Sequence, residues 1–346
     1  MADKLRIGVL GMTHDHVWGS LSQLHQSPLG DLVAAVDPNP ELLEKAQNDY
    51  GCNQLFTSAE EMLEQVDLDA VYIFSDNASG VVLTEMAARQ GLHVLIEKPM
   101  ASTYAGAVQM LAASKAANIK LMINWPFNWW PGLQKAMNMA QNGEIGKLFS
   151  VKYRSAHAGP KELGCTHYFY DWLYDAKLNG AGALMDYCCY GAALSRYLLG
   201  HPSRVTGVAG HLQKDYITVD DNAIILMQSP ESIGMSEASW TQIGHLTSYT
   251  AVIYGSDGTL VIEPQGGGRV LLATREAEDG IEVDVPPLPP EKQSATAYFL
   301  SCILDDQPIE GLCSAEIGRD AQEILEAGLI SSIDNTAVSL PLPMSY

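Results

Sequence analysis

Leu92-His93-Val94-Leu95-Ile96-Glu97-Lys98-Pro99 decides how the chain folds. The apolar run up to Ile96 reads as a short strand buried on both faces, the pattern of a parallel sheet. Pro99 has no N–H to give a ladder and stops the strand there. Lys98 therefore stands at the carboxyl end of a strand, the edge of an open α/β sheet where ligands bind. Glu97 beside it can hold the ammonium in one direction. A lysine so placed is a candidate catalytic group. Taken alone, the tripeptide is equally an ordinary surface ion pair, and the rest of the chain has to decide.

Outward from this strand, short β-branched runs alternate with helical patterns. Residues 5–10, 32–36, 70–74, 93–96 and 120–123 read as buried strands. Between the last two, residues 104–117 set Ala107, Val108, Leu111 and Ala112 on one helical face, with Thr103 as N-cap and Asn118 as terminator. This alternation predicts a doubly wound parallel sheet over residues 1–123. After residue 124 the pattern changes to a helix over 132–141, a strand over 148–155, an aromatic-rich stretch over 167–174 and a helix over 184–199. Strand-like runs then extend from Val205 to about Val285. Residues 124–346 thus predict an α+β domain with a large open, mostly antiparallel sheet. Pro286 to Pro290 form a stiff connector before two helices, over 292–304 and 314–332, and a last strand near Val338. Ile317, Ala321, Ile324 and Leu325 make an apolar stripe on the second helix, which reads as packing.

Composition narrows the function. A chain of 346 residues with 47% hydrophobic and 18% charged content predicts about two folded domains with a sizeable core. Acidic residues number 41 against 20 basic, a formal charge of −21, and no basic cluster stands out, which argues against nucleic acid or an anionic membrane as partner. The amino terminus is polar and no apolar run is long enough to span a bilayer, so a cytoplasmic protein is expected. Six cysteines lie scattered without C-x-x-C spacing and read as free thiols.

The first predicted strand runs into Gly11-Met12-Thr13-His14-Asp15-His16, where a dinucleotide-binding turn would read G-x-G-x-x-G. Only Gly11 is in register. Thr13 and His16 replace the glycines that admit a pyrophosphate and pack helix on strand. Gly11, Met12, Thr13 and His14 remain candidates for cofactor contact, since Thr13 still offers a hydroxyl and an N–H at a helix start. Asp37 closes the second strand roughly 20 residues further on, where a carboxylate takes ribose hydroxyls. Its charge would repel a 2′-phosphate, so NAD is expected over NADP. The alternative for Asp37 is a turn residue in Asp37-Pro38-Asn39-Pro40.

With these residues placed, the chain resembles the Gfo/Idh/MocA oxidoreductases over nearly its whole length. The resemblance rests on the Gly11 turn, Asp37, Glu97-Lys98-Pro99-Met100-Ala101, Gly143-Glu144-Ile145-Gly146-Lys147 and the run from Gly180 through Asp186 to Tyr190. It implies a Rossmann domain followed by a domain whose open sheet packs in oligomers, here a homodimer or homotetramer. It also implies NAD- or NADP-dependent oxidation or reduction of hydroxyl and carbonyl carbons in sugars, polyols and cyclitols. Glu97 and Lys98 would border the cofactor, as would Ser75 and Asn77, from the segment Ser75-Asp76-Asn77-Ala78-Ser79-Gly80 where relatives read T-P-N-x-x-H. Departures stand at Asp76 and Gly80 there, and at Asn128, where an arginine is common.

Carried over, the resemblance sets Lys98, Asp186 and Tyr190 around the reacting carbon. Asp186 and Tyr190 are i and i+4, so both project from one side of a helix. Either Lys98 or Tyr190 would take the hydroxyl proton, with a pKa lowered by burial or nearby positive charge. Trp125, in a stretch holding three of the six tryptophans, together with His157 and His167, are candidate substrate contacts. The alternative for the aromatic residues is core or interface packing. A metal site joining His14 and His16 to His157 and His167 across the cleft is the weaker alternative, and no metal is expected. The same fold could also run glycoside cleavage through a transient oxidation, or serve as a sensor without turnover.

Overall fold

Strands covered on both faces need apolar residues throughout, and the first part of the chain supplies six. The structure is a computed structural model that describes residues 4–263 and 268–343. Its first body runs β1 (Leu5–Leu10), α1 (His16–Gln26), β2 (Gly30–Val36), α2 (Pro40–Tyr50), β3 (Gln54–Phe56), α3 (Ala59–Gln65), β4 (Ala70–Ile73), α4 (Ser79–Arg89), β5 (His93–Glu97), α5 (Tyr104–Ala116) and β6 (Leu121–Asn124). The strands are all parallel in the order β3-β2-β1-β4-β5-β6. This is the doubly wound dinucleotide-binding order, with its switch point between β1 and β4. Thr103 caps α5 as expected, accepting from the Gly106 N–H. The edge strand β3, only three residues long, went unpredicted.

The second body follows with α6 (Pro131–Gln141), β7 (Leu148–Ala156), α7 (His167–Leu173), α8 (Ala176–Asn179), α9 (Ala183–Leu199), β8 (Arg204–Gly210), β9 (Asn222–Gln228), β10 (Ile233–Ser239), β11 (Thr250–Gly255), β12 (Thr259–Ile262), β13 (Val270–Ala273) and β14 (Ile281–Val283). After them come α10 (Ala295–Leu304), α11 (Ala315–Asp334) and β15 (Val338–Ser339). Nine strands form one sheet in the order β14-β13-β12-β11-β7-β10-β9-β8-β15. Only β7 and β10 pair in parallel; the other neighbours are antiparallel.

Helix α9 is buried continuously from Ala183 to Ser195, which explains why it is apolar on every side. Its start is fixed by Asp220, whose carboxylate accepts from the Gly182 and Leu184 N–H groups at 2.7 Å each. Gly182 is required there, because a Cβ would lie 1.9 Å from the Asp220 carbonyl oxygen. The glycine-rich run before Asp186 is thus a packing requirement that aims the helix. The division after residue 123 is not clean in space. Helix α10 returns to the first body, where Tyr72 donates to the Thr296 hydroxyl and Phe299 packs on Tyr72. Helix α11 packs on both α5 and α9, and its Glu326 accepts from the Tyr104 N–H at 2.6 Å.

Candidate active site

At the carboxyl end of β5, Lys98 is 2% exposed and its Nζ donates to Asp186 Oδ1 at 2.6 Å and to the Asp186 carbonyl at 3.1 Å. The other carboxylate oxygen, Oδ2, accepts from the indole N–H of Trp240 at 3.2 Å. The ammonium also lies 5.0 Å from the ring centre of Tyr190 and 5.6 Å from that of Tyr187. Burial works against its charge, but Asp186, with Cys189 and Glu97, outweighs burial and lifts the Lys98 pKa above the ordinary lysine range. Lys98 is therefore a cation at neutral pH, not the lowered base the sequence suggested.

Tyr190 meets the edges of Phe127 and Trp125 and stacks on Tyr153. Burial, followed by the neighbouring Cys189, Glu97 and Asp186, pushes its phenol well above the usual range. Lys98 does not lower it, because that charge sits over the ring face and is already paired with Asp186. His157 packs edge-on to Tyr187 at 4.7 Å, and burial pulls its pKa down to about 4. Its Nδ1 accepts from the Gly159 N–H at 2.8 Å, which assigns the proton of the neutral ring to Nε2. His157 Nε2–H is accordingly left as a hydrogen-bond donor.

Two sequence candidates are corrected. Trp125 is 0% exposed and lies under Tyr190, so it supports the site without facing a substrate. His167 points outward on α7, its side chain 60% exposed beside Asp171, while Phe169 and Trp172 of the same helix face inward. The four-histidine arrangement does not form. His14 and His16 gather with Glu97 instead: His16 Nδ1 lies 3.0 Å from Glu97 Oε1, and His14 Nδ1 accepts the His16 N–H. Glu97 Oε2 in turn accepts from Asn124 at 2.6 Å, and Asn124 Oδ1 accepts from the Trp129 indole. Burial, then His16 and Lys98, hold the His14 pKa well below 6.5.

The turn after β1 shapes the cofactor end. Gly11 has φ +78°, and a Cβ there would lie 2.9 Å from Ser75 Cβ, so β1 and β4 can meet at the switch point only through glycine. Asp37 accepts from the Met12 N–H at 2.6 Å and from the backbone and side chain of Asn39. It is both turn residue and cleft wall. Gly11, Thr13, Asp37, Ser75 and Asp76 line a cleft of about 440 Å³. The departures have local reasons. Asp76 accepts the Ser79 N–H at the start of α4; Gly80 leaves space where a Cβ would lie 2.8 Å from Ile96 Cδ1. Asn128 is turned inward to Cys313 and Gln134.

A strap from the second body crosses this edge. Thr166 donates twice to Asp15, Tyr168 donates to Glu41, and the Ala78 N–H reaches the Leu178 carbonyl. Asn77 donates to Asn179 at 2.9 Å, and Phe169 packs on His14 at 4.2 Å. Beside His14, the buried indole N–H of Trp172 has no partner among the described residues. Asn77 therefore braces the two bodies, and the glycine turn and acidic strand end, which both line the cleft, fit a dinucleotide. Trp240, Tyr187, Asn124 and, in the strap, Thr166 and Asn179 were not singled out from the sequence as site residues, whereas the aromatic stretch of the strap was. Tyr187, next to Asp186 on α9, carried a usable signal; Trp240, at the end of β10, carried none.

These features define an oxidoreductase built on a dinucleotide-binding sheet. The chain belongs to the Gfo/Idh/MocA family. The model described as "Oxidoreductase family, NAD-binding Rossmann fold" matches residues 5–125, and "GFO/IDH/MocA C-terminal domain" matches residues 133–261. A dTDP-3,4-didehydro-2,6-dideoxy-alpha-D-glucose 3-reductase of Streptomyces violaceoruber is 28% identical over 96% of this chain and 95% of its own length. A D-xylose 1-dehydrogenase [NADP(+)] of Haloarcula marismortui is 28% identical over 69% of this chain and 66% of its own. Levoglucosan dehydrogenase, solved with NADH and levoglucosan, shares the fold at a TM-score of 0.82 and 22% identity, covering 98% of this chain and 100% of that one.

Proposed function

We propose that this protein transfers hydride between a nicotinamide cofactor and a hydroxyl or carbonyl carbon of a sugar, polyol or cyclitol. The observation that carries the reading is the buried Lys98–Asp186 pair at the cofactor edge of the sheet. A bound nicotinamide would supply the hydride donor or acceptor. Gly11, Thr13, Asp37 and Ser75 would hold the dinucleotide, and the charge of Asp37 favours NAD over NADP. Lys98 Nζ holds the proton: as an ammonium it donates to the oxygen of a ketone being reduced. In the reverse direction the neutral amine takes the hydroxyl proton and returns to the ammonium. Tyr190 and His157, both uncharged, offer O–H and Nε2–H to orient the substrate. Six unpaired cysteines suit a reducing compartment, which supports a cytoplasmic setting. Among the described residues no helix is long and apolar enough to cross a membrane.

The outer face of the second sheet supports self-association. Val208, Ile224, Leu226 and Ile233 are 42–67% exposed on that face. A second copy covering it as a homodimer or homotetramer would remove that apolar surface from water. The test of the function is NADH formation or consumption over a panel of sugars, polyols and their keto forms, by wild type and by Lys98→Ala. Turnover lost in the variant with NAD affinity kept supports the reading. Unchanged turnover in Lys98→Ala overturns it.

A further inference from the structure

A second cleft, of about 430 Å³, opens beside the reacting edge on the α1 side. It is lined by Asp15, His16, Gln23, Asn124, Trp129 and Trp130 among others. It reaches within one residue of Lys98, because His16 and Asn124 both bond to Glu97. Its volume lies in the range of sites that take a whole organic ligand, about 300–1,000 Å³, so it exceeds the space one reacting ring would use. The tryptophans are fixed in place: Trp129 by its indole bond to Asn124 and its contact with Tyr298, Trp130 by edge contacts with Phe127 and Tyr249. Flat rings beside amide, hydroxyl and imidazole groups suit the C–H faces and hydroxyls of a carbohydrate.

The charges weigh against another substrate class. Recognition of a phosphate or carboxylate calls for a free guanidinium, ammonium or bare helix N-terminus. Among the described residues the only formally charged lining residue is Asp15, which occupies the N-terminus of α1 and would oppose an anion there, and the N-terminus of α10, also on the cleft, is capped by the Ser294 hydroxyl, which accepts from the Ala297 N–H. Three buried or half-buried cations near the reacting edge are spent, Lys98 on Asp186, Lys214 on Glu162 at 2.6 Å and Arg154 on Glu237 at 2.9 Å, and Lys161 lies over the ring of Tyr216. Lys292 lies with Glu310 on an adjoining cavity of about 180 Å³ that shares Trp129 with this cleft, and is not itself part of the cleft lining. Resting on the functional reading above, we infer that the substrate is an uncharged glycoside, whose second ring or aglycone lies against Trp129 and Trp130, and not a nucleotide-linked sugar, sugar phosphate or sugar acid. In this the chain parts from the dTDP-sugar specificity in the name of its Streptomyces relative.

The experiment compares the NAD-loaded protein on neutral sugars, their phenyl glycosides, UDP-glucose, dTDP-glucose and glucose 6-phosphate, reading nicotinamide absorbance. Neutral glycosides should be preferred over every charged sugar by at least about a hundredfold in kcat/KM. Trp130→Ala should lower kcat/KM for the phenyl glycoside by about tenfold and for the free sugar much less, with circular dichroism unchanged. Trp129→Phe keeps a ring and should lose less than Trp129→Ala, which separates stacking from collapse of the cleft. Preference for a nucleotide-linked or phosphorylated sugar would overturn this inference while leaving the hydride-transfer reading intact. Transfer with no sugar, neutral or charged, would overturn both.

Discussion

Asp186→Asn tests the central pair with the shape of the side chain kept. In the wild type Lys98 and Asp186 side chains are 2% and 6% exposed and share a 2.6 Å hydrogen bond. Removing one partner of such a pair leaves an uncompensated buried charge and costs about 3–5 kcal/mol. Unfolding entropy of about 2.1 cal/mol/K per residue converts that to a fall in Tm of about 4–7 °C for a chain of this length. The pH dependence gives a second handle. With Asp186 present, the folded pKa of Lys98 lies above its unfolded value, so the pair stabilises fully at neutral pH and is lost only above the ordinary lysine range. In the variant, burial acts without its main opponent and the folded pKa drops below the unfolded value of about 10.4. The deficit is then complete at low pH and shrinks as pH rises from the lowered value toward the unfolded one. Urea and thermal denaturation at about pH 7 and about pH 10 would measure it. A loss below about 1 kcal/mol, the worth of a surface pair, or a deficit independent of pH, would refute the reasoning.

Gly11→Ala should weaken NAD binding at least about tenfold, since a left-handed backbone alone costs about 1–2 kcal/mol and the new Cβ would crowd Ser75; fluorescence titration would show it, and wild-type affinity would contradict it. Asp37→Asn keeps an acceptor for the Met12 N–H and removes the charge, so the NADP-to-NAD affinity ratio should rise by about tenfold, or about 1.4 kcal/mol. An unchanged ratio would take Asp37 out of cofactor choice. Far from the site, His201 bonds Glu323 at 2.8 Å, and that bond, against burial, raises the His201 pKa. The raised pKa means stability present below about pH 6.5 and lost as pH rises through the folded value. His201→Ala should thus cost up to about 1 kcal/mol in acid, after allowing for screening of the part-exposed ring, and less by about pH 8.5, as read from Tm at both pH values.

Most of the first body was legible because parallel strands carry continuous apolar runs and Thr103 carries a capping signal. Helix α9 was legible for the same reason, as was the i, i+4 pairing of Asp186 with Tyr190. What the sequence could not show was set by contacts distant along the chain. Nothing local says that Lys98 reaches Asp186, that Trp240 holds the second carboxylate oxygen, or that Phe169 packs on His14. Helical phase was the missing information at α7: His167 and Phe169 are two residues apart, so one faces solvent when the other faces inward. Trp125 misled because an aromatic cluster looks alike whether it lines a cleft or supports one, and only burial separates Trp125 from Trp129 and Trp130. The expected lowering of the Tyr190 pKa is opposed for a physical reason as well: burial raises a phenol, and a paired ammonium gives no free positive charge to lower it.

The most direct test of the account is a crystal structure of the protein with NAD. The dinucleotide should run from Asp37 over the Gly11 turn, beneath the Thr166 to Asn179 strap, with its nicotinamide ring against Lys98 beside Asp186. A nicotinamide placed away from Lys98, or a dinucleotide bound outside the cleft between β1 and β4, would contradict it.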